Sequence, residues 1–390
     1  MKILFLNYEY PPLGGGGGVV MGALARELAH RHEVTVLTSQ ALGLASASVE
    51  GGVSIIRAPV FFRRQLAVAN FPSMMAFLPS AGARGLSLMR SGRFDVINTH
   101  FVVPSGPVGQ FLARVNGIPN VLSVHGGDLF DPSKQSSPHR HAWLRAPIRY
   151  MLNAADEVVG QSRDTVRHVS EIYGVQRPIE LIPLGIERPP AVTGNPREEL
   201  GLARDAFVMV TIGRLVARKS TLQLVHALSS CARADAHLVI VGDGPDTAAL
   251  QNAATAAGVA ERVHLLGHVT DAQKYRALAA ADIFVSTSQH EGFGLVFLEA
   301  MAFGLPVVCY DRGGQTDFLK SRETGHVIKL NDLADFTRAL VELHDGPDMR
   351  REIGRNNLQR VEAFFIDRCA ERYESVFTTV CERRRRRVAS

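Results

Sequence analysis

Short apolar runs rich in β-branched residues recur along the chain, separated by stretches of helical periodicity. The first series is ILFLN (3–7), VTVLTS (34–39), VSIIRAP (53–59), DVINTH (95–100), NVLSVHG (120–126), EVVGQS (157–162) and IELIPLG (179–185). A second follows: FVMVTIG (207–213), HLVIVGDG (237–244), VHLLGHV (263–269), DIFVSTS (282–288), PVVCYD (306–311) and HVIKL (326–330). Continuous apolar runs of this length read as strands buried on both faces, and the helical stretches between them supply right-sized crossovers. The pattern predicts an α/β chain of two doubly wound, Rossmann-like domains facing across a cleft. Between the two series lies IERPPAVTGNPREEL (186–200), whose three prolines and one glycine break periodicity and read as an exposed linker. The expected division is therefore 1–186 and 187–365, with an amphipathic helix from Arg368 to Val380 inside a terminal segment 366–390 that carries a basic tail.

Composition narrows the class. The 390 residues are 46% hydrophobic and 21% charged, ordinary values for a globular enzyme, and no apolar run approaches the ~20 residues of a membrane-spanning helix. MKILFLNYEY reads as a first strand rather than a signal segment, which points to the cytoplasm. Cys231, Cys309, Cys369 and Cys381 are scattered without paired spacing and read as reduced thiols, neither zinc ligands nor a redox pair. The net charge of +5 is mild, but Arg383 to Arg387 are five consecutive arginines. They suit either a solvated helix end or an anionic membrane surface; nucleic-acid binding is not indicated, because no aromatic-interleaved basic motif accompanies them.

The segment HEGFGLVFLEAMAFG (290–304) concentrates the candidate chemistry. Glu291 follows an apolar run directly, Gly292 and Gly294 permit close approach of a ligand to the backbone, and helical periodicity starts at Leu295. Free N–H groups and a positive helix end call for an anion, while Glu291 and Glu299 call for hydroxyls. A sugar joined to a nucleoside diphosphate meets both demands.

Other strand ends add to this. Gly14 to Gly18 precede an expected helix Val19–His30 and suggest a phosphate or sugar cradle. A dinucleotide fingerprint fails, because Val19, Val20 or Met21 stands where its last glycine belongs and the second strand ends Thr38-Ser39-Gln40 without a ribose-binding acid. GRLVARKS (213–220) approximates a P-loop but has Arg218 at the second glycine position. Arg214, at the strand end, and Lys219, expected to open the next helix, can still both address a pyrophosphate. His125, in HGGD (125–128), is the favoured imidazole, with Asp128 and His100 as further sugar or acceptor contacts. VGDGP (241–245) reads as a turn with Pro245 at the first position of the next helix; Gly267-His268-Val269 offers backbone groups to a base, and GGQT (313–316) reads as one more helix N-terminus. No metal-ligand spacing stands out, so a leaving diphosphate must be neutralised by Arg214, Lys219 and helix ends.

Taken in order, YEYPPLGGGGG, HGGD, IPLGIE, GRLVARKS, VGDGP, HEGFGLVFLEAMAFGLPVV and DRGGQTDFL resemble the retaining glycosyltransferases of family 4, the glycosyl transferases group 1, of the GT-B fold. The resemblance covers nearly the whole chain. It implies an N-terminal acceptor-binding domain, a C-terminal nucleotide-sugar-binding domain and a last helix that crosses back to the first. It places Gly16 and Gly17 near the donor phosphates or the acceptor, and Arg214 and Lys219 on the diphosphate. Glu291 then meets the donor sugar, backbone groups of Gly292, Phe293, Gly294 and Leu295 meet sugar and phosphate, Glu299 holds the ribose, and His125 sits by the sugar. The catalytic set so implied is Glu291, His125, Lys219 and Arg214.

No metal or other cofactor is expected, since the nucleotide sugar is a co-substrate. Ser220 and Asp317 depart from the family pattern, where glycine and glutamate are common. The implied reaction is front-face transfer of a hexosyl unit, from a UDP- or GDP-linked donor to a glycan or lipid-linked acceptor, in cell-surface polysaccharide synthesis. The apolar, arginine-bearing stretch 59–79, with the arginine tail, suggests peripheral contact with the inner face of the cytoplasmic membrane. A sugar-nucleotide 2-epimerase of the same fold would need extra acids and histidines for proton abstraction. A non-catalytic sugar-nucleotide-binding module would have no use for Arg214, Lys219, Glu291 and Glu299 together.

Overall fold

The computed structural model describes residues 1–389 except 67, 68 and 136, so part of the stretch 59–79 lies outside the described residues. The chain forms two compact units, Met1–Glu187 together with the segment from Phe364 onward, and Arg188–Ala363.

The first unit is built on β1 (Lys2–Leu6), β2 (Glu33–Gln40), β3 (Ala47–Glu50), β4 (Val53–Pro59), β5 (Val96–His100), β6 (Asn120–Val124), β7 (Glu157–Gly160) and β8 (Glu180–Leu181). They join in the order β3-β4-β2-β1-β5-β6-β7-β8, parallel except for β3 on β4. Its helices are α1 (Gly16–Ala29), α2 (Phe71–Ser91), α3 (Ser105–Asn116), α4 (Ala142–Ala154) and α5 (Arg163–Tyr173). Alternate residues of the strands feed opposite faces. Ile3, Phe5, Val96 and Val121 pack beneath α1, whereas Leu4, Leu6 and Ile97 meet α2 and α3, and Leu122 and Val124 meet α4 and α5.

The second unit contains α6 (Pro196–Glu199), β9 (Phe207–Ile212), α7 (Leu222–Ser230), β10 (Ala236–Val241), α8 (Thr247–Ala256), β11 (Val263–Gly267), α9 (Asp271–Ala280) and β12 (Ile283–Ser286). These are followed by α10 (Leu295–Ala302), β13 (Val307–Tyr310), β14 (Gly325–Ile328), α11 (Leu333–Asp345) and α12 (Pro347–Val361). Its six strands are all parallel, in the order β11-β10-β9-β12-β13-β14. In both sheets the winding reverses beside the first strand, between β1 and β5 and between β9 and β12. Ligands of doubly wound sheets bind outside the strand ends at such a reversal.

The last helix, α13 (Ile366–Ala389), belongs to the first unit. Ile366, Cys369, Ala370, Tyr373, Phe377 and Val380 recur at three- and four-residue spacing and are buried with the α1 side of the sheet. Phe377 is fully buried, and its ring meets Phe5 edge-on at 6.5 Å between centroids. Phe377→Ala is expected to cost about 3–5 kcal/mol, read as a lowered urea midpoint for the unit that contains it.

Several local expectations need correction. The helix after β1 begins at Gly16, so Gly16 to Gly18 form its first turn instead of a loop ahead of Val19. The last helix runs on past Val380 and takes in Arg383 to Arg387, so these arginines form a helix end, one of the two readings that the sequence offered. The linker 186–200 includes the short helix α6, whose N-cap is Asn195. Pro245 precedes α8 by two residues, and GGQT leads only into the 3₁₀ turn Gly314–Asp317. Among the described residues no helix is long and apolar enough to cross a membrane. All four cysteines are unpaired and buried.

Candidate active site

In the second unit, β9 ends at Ile212 and the chain turns through Arg214 into a single 3₁₀ turn, Ala217–Lys219, before α7. Lys219 thus closes a turn rather than opening a helix. Ser220 follows with φ +48, a left-handed conformation in which glycine is least strained. The turn is fastened to the end of β12. The Gln289 N–H donates to the Arg218 carbonyl at 2.9 Å, and the Thr287 hydroxyl donates to the Ser220 carbonyl at 2.9 Å. Thr211, Gly213, Arg214, Lys219, Thr221 and Ser286 line a recess there.

Glu291 is 7% exposed and ion-paired with the Lys219 ammonium, with the Arg218 guanidinium 3.5 Å from its second oxygen. Arg218 also donates to the His290 carbonyl. The residue that spoils the P-loop pattern is therefore part of the site, a role that the motif comparison missed. The backbone of Glu291 is held from the other side: its N–H donates to the Arg312 carbonyl at 3.1 Å and its carbonyl accepts from Gly314 at 2.9 Å. A side chain at Gly313 would strike that carbonyl, so the close approach requires glycine.

Burial pushes the Glu291 carboxyl up, but the Lys219 ammonium and the Arg218 guanidinium outweigh it and hold the group at about 2. A carboxyl depressed from 4.5 contributes stability that is complete above its unfolded pKa and is lost as pH falls through about 2. The contribution is about 3 kcal/mol. Denaturant unfolding of the wild type should therefore weaken between about pH 4.5 and 2, and Glu291→Gln should flatten that dependence.

Gly292, Phe293 and Gly294 carry the chain from Glu291 into α10. Phe293 is buried against Phe318, which leaves its backbone as the part available to a ligand. No side chain caps α10; the Phe297 N–H donates to the Gly294 carbonyl at 3.0 Å, and the N–H groups of Leu295 and Val296 face a ligand or water. Glu299 lies one turn further along and binds the Lys274 ammonium of α9 at 2.8 Å. Burial raises the Glu299 carboxyl against the pull of Lys274. Lys274 in turn is held above its ordinary range, because Glu299 overcomes its burial. Lys274 was not foreseen, for nothing in the helical stretch DAQKYRALAA marks it. Arg214 is exposed, and its side chain has no hydrogen-bond or ion-pair partner among the described residues.

The first unit gathers the remaining candidates. Gly16 and Gly17 open α1 without a side-chain cap, and a side chain at Gly17 would strike the Phe101 ring. That ring lies 4.5 Å from His125 between centroids. His100 and His125 share a hydrogen bond of 2.8 Å. Asp128 caps no helix; its two oxygens accept from the His125 N–H at 2.9 Å and the Val102 N–H at 2.8 Å. Burial pushes His125 down to about 4 and Asp128 up to about 6, the latter against those two N–H bonds. His125 is therefore neutral near pH 7, suited to hydrogen bonding and not to holding a phosphate. The structure thus assembles Gly17, His100, His125 and Asp128 in one unit and Arg214, Lys219, Glu291 and Glu299 in the other.

Residues 14–188 match Glycosyltransferase Family 4 and residues 193–360 match Glycosyl transferases group 1. A GDP-mannose-dependent alpha-(1-6)-phosphatidylinositol monomannoside mannosyltransferase of Mycolicibacterium smegmatis is 28% identical, over 90% of this chain and 91% of its own. A UDP-Gal:alpha-D-GlcNAc-diphosphoundecaprenol alpha-1,3-galactosyltransferase of Escherichia coli is 30% identical, over 66% of this chain and 68% of its own. Among solved structures, sucrose-phosphate synthase of Thermosynechococcus elongatus superposes with a TM-score of 0.85 at 22% identity, over 97% of this chain and 98% of that one. With both halves matched in order, and with the strand-end acids and cations in place, the chain belongs to the glycosyl transferases group 1 of glycosyltransferase family 4 and is a glycosyltransferase of the GT-B fold.

Proposed function

We propose that the protein moves a hexosyl unit from a UDP- or GDP-linked donor to a glycan or lipid-linked acceptor, with retention at the anomeric carbon, in the synthesis of a cell-surface polysaccharide. The observation that carries this reading is the Glu291 carboxylate held by Lys219 and Arg218 beside the uncapped start of α10, with exposed Arg214 at the neighbouring strand end. Cations and N–H groups at one place suit a diphosphate, and the carboxylates Glu291 before α10 and Glu299 within it suit hydroxyls on either side of it. Relatives named for GDP-mannose and UDP-galactose support such a donor.

In this reading the second unit holds the nucleotide sugar. Lys219 and Arg214 meet the diphosphate, Glu291 the sugar and Glu299 the ribose; the N–H groups around Gly292 to Leu295 contact phosphate and sugar. The leaving diphosphate carries growing negative charge, which fixed cations and the α10 N-terminus stabilise without a metal. The acceptor hydroxyl attacks the anomeric carbon from the face that the diphosphate leaves. The C–O bond to phosphate breaks, the new glycosidic bond forms, and the hydroxyl proton passes to the departing phosphate oxygen. Incubating the protein with UDP-, GDP- and ADP-sugars tests this. Slow release of one nucleoside diphosphate and a sugar of unchanged anomeric configuration are expected. Release from none of them, or an inverted product, would overturn it.

A lipid-linked acceptor is supported by the outer face of the first unit. Helices α2, α3 and α4 contain no acidic residue and carry Arg84, Arg90, Arg114, Arg145 and Arg149, while Phe71, Phe111, Trp143 and Tyr150 are exposed on them. Arginine beside exposed aromatic rings fits an anionic bilayer surface at the inner face of the membrane. Vesicles containing phosphatidylglycerol should co-sediment the protein, phosphatidylcholine vesicles should not, and Trp143→Ala with Tyr150→Ala should weaken the binding about tenfold.

A further inference from the structure

Three buried polar side chains at the end of β5 and β6 form a chain whose direction can be read from its fixed end. The Asn98 amide nitrogen donates to the Val121 carbonyl at 3.1 Å and to the Ser123 hydroxyl at 2.9 Å. A carbonyl can only accept, so the orientation of the amide is set and Oδ1 faces the other way, 2.6 Å from His100 Nε2. Oδ1 also only accepts, so His100 carries its proton on Nε2. His100 is fully buried between Phe5, at 5.5 Å, and Tyr373 of α13, at 6.3 Å between ring centroids, and burial together with the neighbouring His125 keeps it neutral. A neutral imidazole protonated on Nε2 has a lone pair on Nδ1. That lone pair lies 2.8 Å from His125 Nε2, which must therefore be the donor. His125 is then left with a bare Nδ1; the atom is buried and makes no hydrogen bond to the described residues, and the Gln161 side chain, which reaches the ring and raises its pKa, spends its amide nitrogen on the His125 carbonyl.

We propose that Asn98 and His100 are positioning residues that lock His125 as the Nε2–H tautomer, so that its Nδ1 accepts a hydrogen bond from a hydroxyl or N–H of the sugar substrate. The proposal rests on the reading above that the sugar lies beside His125, and it adds a rule of selectivity. The substrate group at this point must be a donor. A carboxylate or phosphate oxygen would face a lone pair with no proton between, and a deoxy position would leave Nδ1 unsatisfied. A buried acceptor without its partner discriminates more strongly than a missing apolar contact does.

The tautomer can be measured in the free protein, independently of which donor or acceptor is used. Uniform ¹⁵N labelling of histidine, with the His125 signals assigned from a His125→Gln spectrum, should show Nε2 protonated and Nδ1 bare for both His100 and His125 near neutral pH. His100→Phe keeps the ring stack between Phe5 and Tyr373 but removes the acceptor. In that variant His125 should redistribute between tautomers, and kcat/KM for a sugar with the matching hydroxyl should fall about 3- to 10-fold. The corresponding deoxy sugar, which makes no bond to Nδ1, should lose nothing further. A wild-type His125 with a proton on Nδ1 would overturn the proposal whatever the enzyme's activity. So would a His100→Phe protein with unchanged His125 signals and unchanged kcat/KM.

Discussion

Replacing Glu291 by glutamine is expected to lower kcat/KM about 100- to 1000-fold while the second unit stays folded. The substitution keeps the volume and one acceptor oxygen and removes the charge. That charge opposes Lys219 directly and Arg218 at 3.5 Å, and it anchors the carboxylate where a sugar hydroxyl would meet it. Losing one preorganised charged partner in a site of this kind costs about 3–4 kcal/mol of transition-state stabilisation, which sets the size of the fall. Stability should drop by about 1–3 kcal/mol, because two partly buried cations lose their counter-charge. Steady-state kinetics and a denaturant melt of the same preparation check both effects. A kcat/KM within threefold of wild type would remove Glu291 from the reaction.

Lys219→Ala should be comparably severe for a different reason. The ammonium serves two partners in turn, Glu291 in the structure described here and the diphosphate in the proposed complex. Its loss should weaken nucleoside diphosphate binding and slow departure of the leaving group, for a combined fall in kcat/KM of about 100- to 1000-fold. It should also change the acid limb of the pH profile. Burial raises the Glu291 carboxyl, and with Lys219 gone only Arg218 and the Ser288 hydroxyl are left to oppose that rise. The pKa of Glu291 must therefore move up from about 2, and activity dependent on the carboxylate should begin to fail at higher pH than in wild type. A variant with normal turnover would leave the diphosphate without its assigned cation.

The sequence was most legible where one physical demand acted alone. Strands with apolar side chains turned to the helix layers stand out as runs, and thirteen of the strands lie in such runs; β3 does not, because it is polar and mostly exposed. Glu291 was legible because an acid between a buried strand and a glycine turn has few structural uses. Arg218 was misjudged because it was compared with a phosphate-loop pattern and not with the acid that it meets across 73 residues of sequence. Lys274 was invisible for a similar reason: it meets Glu299 across 25 residues of sequence, a pairing that no local pattern marks. The start of α1 was displaced because five glycines signal a loop, whereas Gly17 is required inside the helix by the Phe101 ring beside it. Local propensity lost to tertiary packing at each of these points.

Lys219 and Arg214, at the strand-end turn beside α10, are proposed to hold a nucleoside diphosphate. Calorimetric titration of UDP and of GDP into wild-type, Lys219→Ala and Arg214→Ala proteins tests it most directly. One of the two nucleotides should bind the wild type and its monophosphate more weakly, and each substitution should lower affinity for the diphosphate about tenfold or more, with a smaller effect on the monophosphate. Equal affinity of all three proteins for the diphosphate would contradict it.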